Sequence, residues 1–194
     1  MKTIVLDAAE GPDPQGATLR ESLLAELEQA GCEVEVFRLD EEEIGSCRGC
    51  FGCWTRSPGL CTIDDAGRQI ARAVVCSDLT VFVTPVTFGG YSSLLKRVVD
   101  RLIPSIAPLF LRIEEEGEEE PCHHCFPRLL GLGILSREDD EAARLFHALV
   151  RNNAVNFHCP AHASGVVMPG EKWSDVRIRI RNLLQRVGVD HAKA

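Results

Sequence analysis

Apolar positions along the chain fall into short runs that switch between two periods. Thr3-Ile4-Val5-Leu6 is a β-branched apolar run suited to a strand buried on both faces. Gly11-Pro12-Asp13-Pro14-Gln15-Gly16 follows and reads as a loop. After Thr18, the residues Leu19, Leu23, Leu24 and Leu27 recur at helical spacing, and Gly31 closes that helix. Val34, Val36 and Leu39 begin a second strand. Asp64 and Asp65 can open a helix running to about Cys76. Leu79-Thr80-Val81-Phe82-Val83-Thr84 is the clearest buried strand, ended by Pro85. Ser92 can cap a helix through Leu94, Leu95, Val98, Val99 and Leu102. Residues 129–135 predict a fourth strand, 139–154 a helix, 164–168 a fifth strand and 171–187 a closing helix.

Alternating strands and helices imply a parallel sheet with helices on both faces. Five strands in one unit predict an α/β, flavodoxin-like three-layer fold with strand order 2-1-3-4-5. In that order the ligand crevice lies beyond the carboxyl ends of the strands. Residues 1–194 read as a single domain with no repeat and no linker. Two segments interrupt the alternation: a cysteine-rich loop at 46–62 and a long insertion at 104–128, which reads as a lid or contact surface. The acidic run Glu114-Glu115-Glu116-Gly117-Glu118-Glu119-Glu120 inside the insertion reads as solvated loop, because like charges repel and extend.

Composition narrows the function. The chain has 194 residues, 45% of them hydrophobic, and 29 acidic against 21 basic residues give a net charge of −8. That balance argues against nucleic acid as a partner, since phosphate binding needs a basic surface. The apolar stretches are too short to span a bilayer, and Met1-Lys2-Thr3-Ile4 carries no signal-peptide pattern, so the expectation is a cytoplasmic protein without a membrane partner. Nine cysteines stand out against this background. An odd number in such a chain does not read as a disulfide framework, and their clustering points to metal or redox chemistry.

Three loops should converge at the carboxyl edge of the sheet. Gly16-Ala17-Thr18 sits at a helix start, where backbone amides and a hydroxyl can hold a phosphate; an ordinary N-cap threonine looks the same. Thr84-Pro85-Val86-Thr87-Phe88-Gly89-Gly90-Tyr91 combines a strand-ending proline, two glycines that allow close backbone approach, and aromatics able to lie along a flat ring. Ser136-Arg137-Glu138-Asp139 opens the next helix and can close over the other side of the same ligand.

A family resemblance rests on specific residues. Cys47-Arg48-Gly49-Cys50-Phe51-Gly52-Cys53-Trp54, with Ser57-Pro58-Gly59-Leu60-Cys61-Thr62-Ile63-Asp64-Asp65, is similar to the cysteine segment of NAD(P)H-dependent FMN reductases. Ser77-Asp78-Leu79, the loop from Thr84 to Ser92, Lys96 and Asp100-Arg101 carry the likeness further. Within that family the segment resembles the iron–sulfur flavoproteins and multimeric flavodoxin relatives. The resemblance implies FMN, with its phosphate at Gly16, Ala17 and Thr18, and its ring and ribityl chain bordered by Pro85, Val86, Thr87, Phe88, Gly89, Gly90 and Tyr91. Ser136 would complete the pocket. It also implies NAD(P)H as electron donor, a small-molecule or protein electron acceptor, and a homodimer or homotetramer in which Asp100 and Arg101 are structural or interfacial. No side chain needs to act as acid or base, because the flavin N5 carries the chemistry. One departure is Glu10, Asp13 and two prolines in the first loop, where carboxylates oppose a phosphate unless they point away.

The C-x2-C-x2-C-x7-C spacing of Cys47, Cys50, Cys53 and Cys61 permits a [4Fe-4S] cubane, with three sulfurs from one compact loop and the fourth returned by the longer gap. Flavin-only relatives carry similar segments, in which the cysteines pack the loop or stay free thiols, so both readings stand. Zinc usually takes two C-x2-C pairs separated by a longer insert. Pro121-Cys122-His123-His124-Cys125 offers zinc-compatible side chains at a spacing that rarely converges on one ion, and His147, His158 and His162 are isolated. Beside the flavin oxidoreductase stand an electron carrier or redox sensor without reductase turnover, and a flavodoxin-like scaffold that has lost FMN.

Overall fold

The computed structural model describes residues 1–9, 14–106 and 126–190. Strands β1 (Lys2–Asp7), β2 (Glu33–Arg38), β3 (Leu79–Thr87), β5 (Arg128–Ile134) and β6 (His162–Val167) form a parallel sheet of order β2-β1-β3-β5-β6. The two-residue strand β4 (Gly90–Tyr91) pairs antiparallel with β3 outside that path. Setting β4 aside, the order is the expected one.

Helix α1 (Pro14–Gln29) and the closing helix α6 (Trp173–Arg186) cover one face, where Leu19, Leu23, Leu27, Ile180 and Leu184 meet Val5, Val81 and Leu130. The opposite face carries α3 (Ala66–Val75), α4 (Ser93–Arg101) and α5 (Asp140–Asn156), where Ile70, Leu95, Val98, Phe146 and Val150 meet Ile4, Leu6 and Phe82. A short helix, α2 (Gly52–Thr55), lies in the cysteine loop. The central strands are buried on both faces, which is why they read as continuous apolar runs rather than alternating ones. Edge strand β2 alternates, as its sequence EVEVFR requires.

Local signals explain most boundaries. Gly31 at φ 69° ends α1 in a Schellman arrangement, with Cys32 N–H donating to Leu27 O and Gly31 N–H to Glu28 O. Asp65, Ser92 and Asp139 accept N-cap bonds from Gly67, Leu95 and Ala142. Two boundaries depart from expectation. Helix α1 starts at Pro14, four residues before Thr18, because proline is pre-organised for the first helical position and loses no bond there. Strand β3 runs through Pro85 to Thr87. Ala8 N–H donates to Val83 O, so the backbone groups two residues on, at Pro85, also face the β1 side, where β1 has already ended. The missing N–H of Pro85 therefore removes no ladder bond.

Of the long insertion, Ile103–Ile106 forms a 3-10 turn and Arg128 already opens β5. The acidic run and the Cys122-His123-His124-Cys125 segment lie outside the described residues, as do Glu10 and Asp13.

Candidate functional site

The chain reverses its direction across the sheet between β1 and β3, which makes their carboxyl ends the topological switch point where such sheets bind ligands. Asp7 ends β1 fully buried. Its carboxylate accepts from Ala9 N–H at 3.0 Å and Arg20 Nη1 at 2.5 Å, with Arg38 Nε 3.6 Å away. Paired in this way, the buried charge fixes the chain where it leaves the sheet for α1. Gly16 is the third residue of α1, where an N–H has no partner within the helix, and Ala17 follows it at the start of the bonded ladder. Thr18 lies a full turn in, and its hydroxyl donates to Pro14 O at 2.8 Å. Its proton is thus used inside the helix.

The second loop is a tight hairpin. Val86 pairs with Tyr91 and Thr87 with Gly90, leaving Phe88 and Gly89 as central residues at φ 51° and 76°. Two positive φ angles define a type I′ turn, which suits glycine but strains phenylalanine. Gly89 is required twice over: a Cβ there would lie 2.7 Å from the Leu145 Cβ. The Phe88 ring is 99% exposed. The buried Thr84 hydroxyl donates to Pro85 O and accepts from Ser92 N–H, both at 3.0 Å, which ties the hairpin to the start of α4. Pro85 and Val86 are half-buried. Val86 crosses over Gly133, where a Cβ would meet its Cγ2 at 2.6 Å.

Tyr91 points into the core. Its ring packs edge-on against Phe82 and Phe146, with centroids 5.7 and 5.9 Å away, and its hydroxyl accepts from Asn153 Nδ2 at 2.9 Å. Burial pushes its pKa well above the ordinary phenol value. Tyr91 thus anchors the hairpin rather than presenting a ring to a ligand. Ser136 is exposed just beyond β5, after Leu135 N–H donates to Val167 O.

The cysteines form a second feature. Cys47, Cys50, Cys53 and Cys61 line one pocket, together with Phe51 and Arg101. Trp54 Nε1 donates to Ile103 O at 3.1 Å and fixes α2 against the 3-10 turn. Phe51, at φ 52°, lies against Trp54 with ring centroids 5.2 Å apart. Desolvation, then the neighbouring Cys61, Cys47 and Cys50, pushes the Cys53 thiol above its usual range. The Gly52 amide and the Thr62 hydroxyl draw Cys50 below it. Among the described residues no group of three or more His, Cys, Asp or Glu side chains is arranged around a single metal ion.

One ion pair closes this pocket. Asp65 accepts from Gly45 N–H at 2.7 Å and from Arg101 Nη1 and Nη2 at 2.9 and 2.8 Å. Arg101 also donates to Gly45 O and Ile63 O, so the pair fastens both ends of the cysteine loop. Burial works to lower the Arg101 pKa, but the bonds it donates to Asp65, with the Asp65 charge and the nearby Cys61 side chain, outweigh it. The Arg101 bonds hold the Asp65 carboxyl below the usual range against its own desolvation. In the sequence Arg101 reads as structural or interfacial and Thr84 only as the start of the second loop; what sequence reasoning missed is the Asp65 partner of the one and the Ser92 bond of the other. A signal for Arg101 existed, since it falls on the apolar stripe of Leu94, Val98 and Leu102.

A doubly wound parallel sheet with glycine-bearing loops at its switch point defines a flavodoxin-like α/β protein. The family model described as NADPH-dependent FMN reductase matches residues 1–111, and the chain belongs to that family. An iron–sulfur flavoprotein of Methanocaldococcus jannaschii is 35% identical over 103 residues, covering 52% of each chain. An iron–sulfur flavoprotein of Methanosarcina thermophila is 29% identical over 48% of this chain and 49% of the relative. The chain thus spans about half the length of such curated relatives that it matches. Among solved structures, an NAD(P)H:quinone oxidoreductase from Methanothermobacter marburgensis superposes with a TM-score of 0.71 at 12% identity, covering 100% of this chain and 99% of that one. An FMN-dependent NADH-azoreductase from Bacillus anthracis, in complex with FMN, gives 0.63 at 10% identity, over 94% and 95%. These likenesses establish the fold. No helix among the described residues is long and apolar enough to cross a membrane.

Proposed function

We propose that this chain is an FMN-dependent oxidoreductase that takes hydride from NAD(P)H and passes electrons to a small-molecule or protein acceptor. The observation that carries this reading is the meeting of the α1 amides, the Phe88-Gly89 turn and the Ser136 loop at the carboxyl ends of three adjacent strands. The donor set suits FMN. The N-terminus of α1 at Gly16 and Ala17 can take an anionic phosphate, the hairpin backbone from Thr87 to Gly90 can follow the polar edge of a ring, and Phe88 supplies an exposed aromatic surface. When bound, FMN supplies hydride acceptance at its N5; the protein's part is to hold it, orient it and exclude water. Thr84 and Tyr91 hold the hairpin rigid, and no side chain is asked to move a proton.

Purified protein, reconstituted with FMN and mixed with NADH or NADPH, tests this directly. The expected result is one flavin per chain, bleached by at least one nicotinamide. A chain that retains no FMN sinks the reading, and flavin that stays oxidised under both donors makes it a carrier. Light scattering in the same buffer tests the expected homodimer or homotetramer.

The cysteine pocket favours a second reading, an iron–sulfur flavoprotein with a [4Fe-4S] cluster on Cys47, Cys50, Cys53 and Cys61. All four line a common pocket, yet they do not gather around a single ion. A cubane binds each thiolate at a different iron and so needs its ligands spaced more widely than one ion does. Iron and sulfide assays on anaerobically prepared protein decide between this reading and the flavin-only one.

A further inference from the structure

Arg101 is 1% exposed, and four of its five N–H donors are used: those on Nη1 by Gly45 O and Asp65 Oδ2, those on Nη2 by Ile63 O and Asp65 Oδ1. The fifth, on Nε, is buried without a hydrogen-bond partner. A buried donor left in this state is rare and costly, and calls for a missing acceptor. Arg101 lines the cysteine pocket alongside Cys61. Cys61 is itself held in place, because Arg68 Nε donates to its carbonyl at 2.8 Å while Arg68 Nη1 lies 3.0 Å from Asp64. The neighbouring Asp100 is engaged with Lys96 on the surface and takes no part.

We propose, resting on the cluster reading above, that Arg101 is the positioning residue of the cysteine pocket: it fastens both ends of the loop and donates its Nε–H to the Cys61 sulfur when that sulfur is a cluster ligand. A thiolate ligand carries the negative charge that the free thiol lacks, so it is the acceptor that the fifth donor is missing. A hydrogen bond to a ligand sulfur stabilises the more negative, reduced state and raises the reduction potential. The bidentate pair with Asp65 keeps the net charge of the clamp at zero, so the directed N–H rather than bulk charge sets the effect.

The test uses full-length protein reconstituted anaerobically with iron and sulfide, and its Arg101→Lys variant. Both are measured for iron per chain, FMN per chain and the midpoint potential of the cluster. The expected result is a variant whose one-electron reduction equilibrium falls about tenfold, about 59 mV in potential, with FMN content unchanged. A variant that holds iron at the wild-type potential overturns the inference while leaving the cluster reading intact. Wild-type protein that takes up no iron removes the cluster reading and the inference with it. Should Arg101→Lys fail to fold, arginine-labelled wild type decides by NMR. One Nε–H resonance that becomes protected and hyperfine-shifted on loading supports the assignment; Nε–H resonances that are all unshifted overturn it.

Discussion

Removal of Asp65 should be among the most damaging single substitutions outside the hydrophobic core. Its carboxylate accepts from Arg101 twice, from Gly45 N–H and from Gly67 N–H, the last as the cap of α3. Asp65→Ala leaves the Arg101 guanidinium, 1% exposed, facing only the Gly45 and Ile63 carbonyls. Stripping one partner from a buried pair costs about 3–5 kcal/mol, and losing a cap about 1 kcal/mol; the two effects share a residue and will not add fully. A loss of about 4 kcal/mol is expected. Asp65→Asn keeps a cap acceptor but loses the charge-assisted bonds, for a loss of about 2 kcal/mol. Asp100→Ala, which removes the half-exposed pair with Lys96, should change stability by less than about 0.5 kcal/mol and serves as control. Because the Asp65 pKa is lowered from 3.8 on folding, its contribution is fully present above that value and disappears as pH falls through the lower folded value. The gap between wild type and Asp65→Asn should therefore close in strong acid. Urea unfolding followed by far-UV circular dichroism at pH 7 and in acid measures all of this. An Asp65→Ala protein within about 1 kcal/mol of wild type would show that the guanidinium is solvated and the clamp misread.

Three further outcomes are expected. Gly89→Ala should cost about 2 kcal/mol, combining positive φ with a Cβ 2.7 Å from Leu145, whereas Gly90→Ala, whose nearest neighbour is Thr87 O at 3.4 Å, should cost under about 1 kcal/mol; paired melts compare them. Tyr91→Phe and Asn153→Ala should each lose about 1 kcal/mol, and a double-mutant cycle should recover most of it as coupling, since one 2.9 Å bond joins the two side chains. Glu26 is fully buried between Arg177 and Arg181 of α6, and the bonds from Arg181 lead in lowering its pKa from 4.5. Glu26→Gln should destabilise by about 1–2 kcal/mol at pH 7, discounted because both arginines are half exposed, with the difference fading as pH drops through the folded value.

What could be read in advance depended on how local the cause was. The sheet and its order followed from apolar periodicity, because strands buried on both faces and helices buried on one write different periods into the chain. Gly31, Asp65 and Ser92 act within a few residues of themselves, so their ends were legible. Pro85 misled because its cost depends on which side its missing N–H faces, and that is set by where β1 stops, a fact some eighty residues away in the chain. Pro14 misled for the converse reason: it reads as punctuation, and only the helix that follows shows it to be a first helical residue. Arg101 read as structural or interfacial without a named partner, since Asp65 is 36 residues away. The four cysteines announced a shared loop by their spacing, but that they line one pocket without gathering on one ion is set by the loop's backbone, with Gly49 at φ 63° and Phe51 at φ 52°.

Phe88 separates stability from function most cleanly. A phenylalanine in the left-handed region is strained, and a ring 99% exposed recovers nothing by burial, so the folded chain alone gives no reason for it. The turn it occupies prefers Asn-Gly, and Gly89 already supplies the second half. Phe88→Asn should therefore stabilise the flavin-free protein by about 1 kcal/mol, while weakening FMN binding if the ring covers the cofactor as proposed. Urea unfolding of the apoprotein and fluorescence titration with FMN read the two effects independently. A gain in stability with unchanged FMN affinity would mean that the ring serves another surface, and the hairpin would then hold FMN through its backbone alone. A loss of stability would instead show that the turn is not strained, and the geometric basis for giving Phe88 a role would go with it.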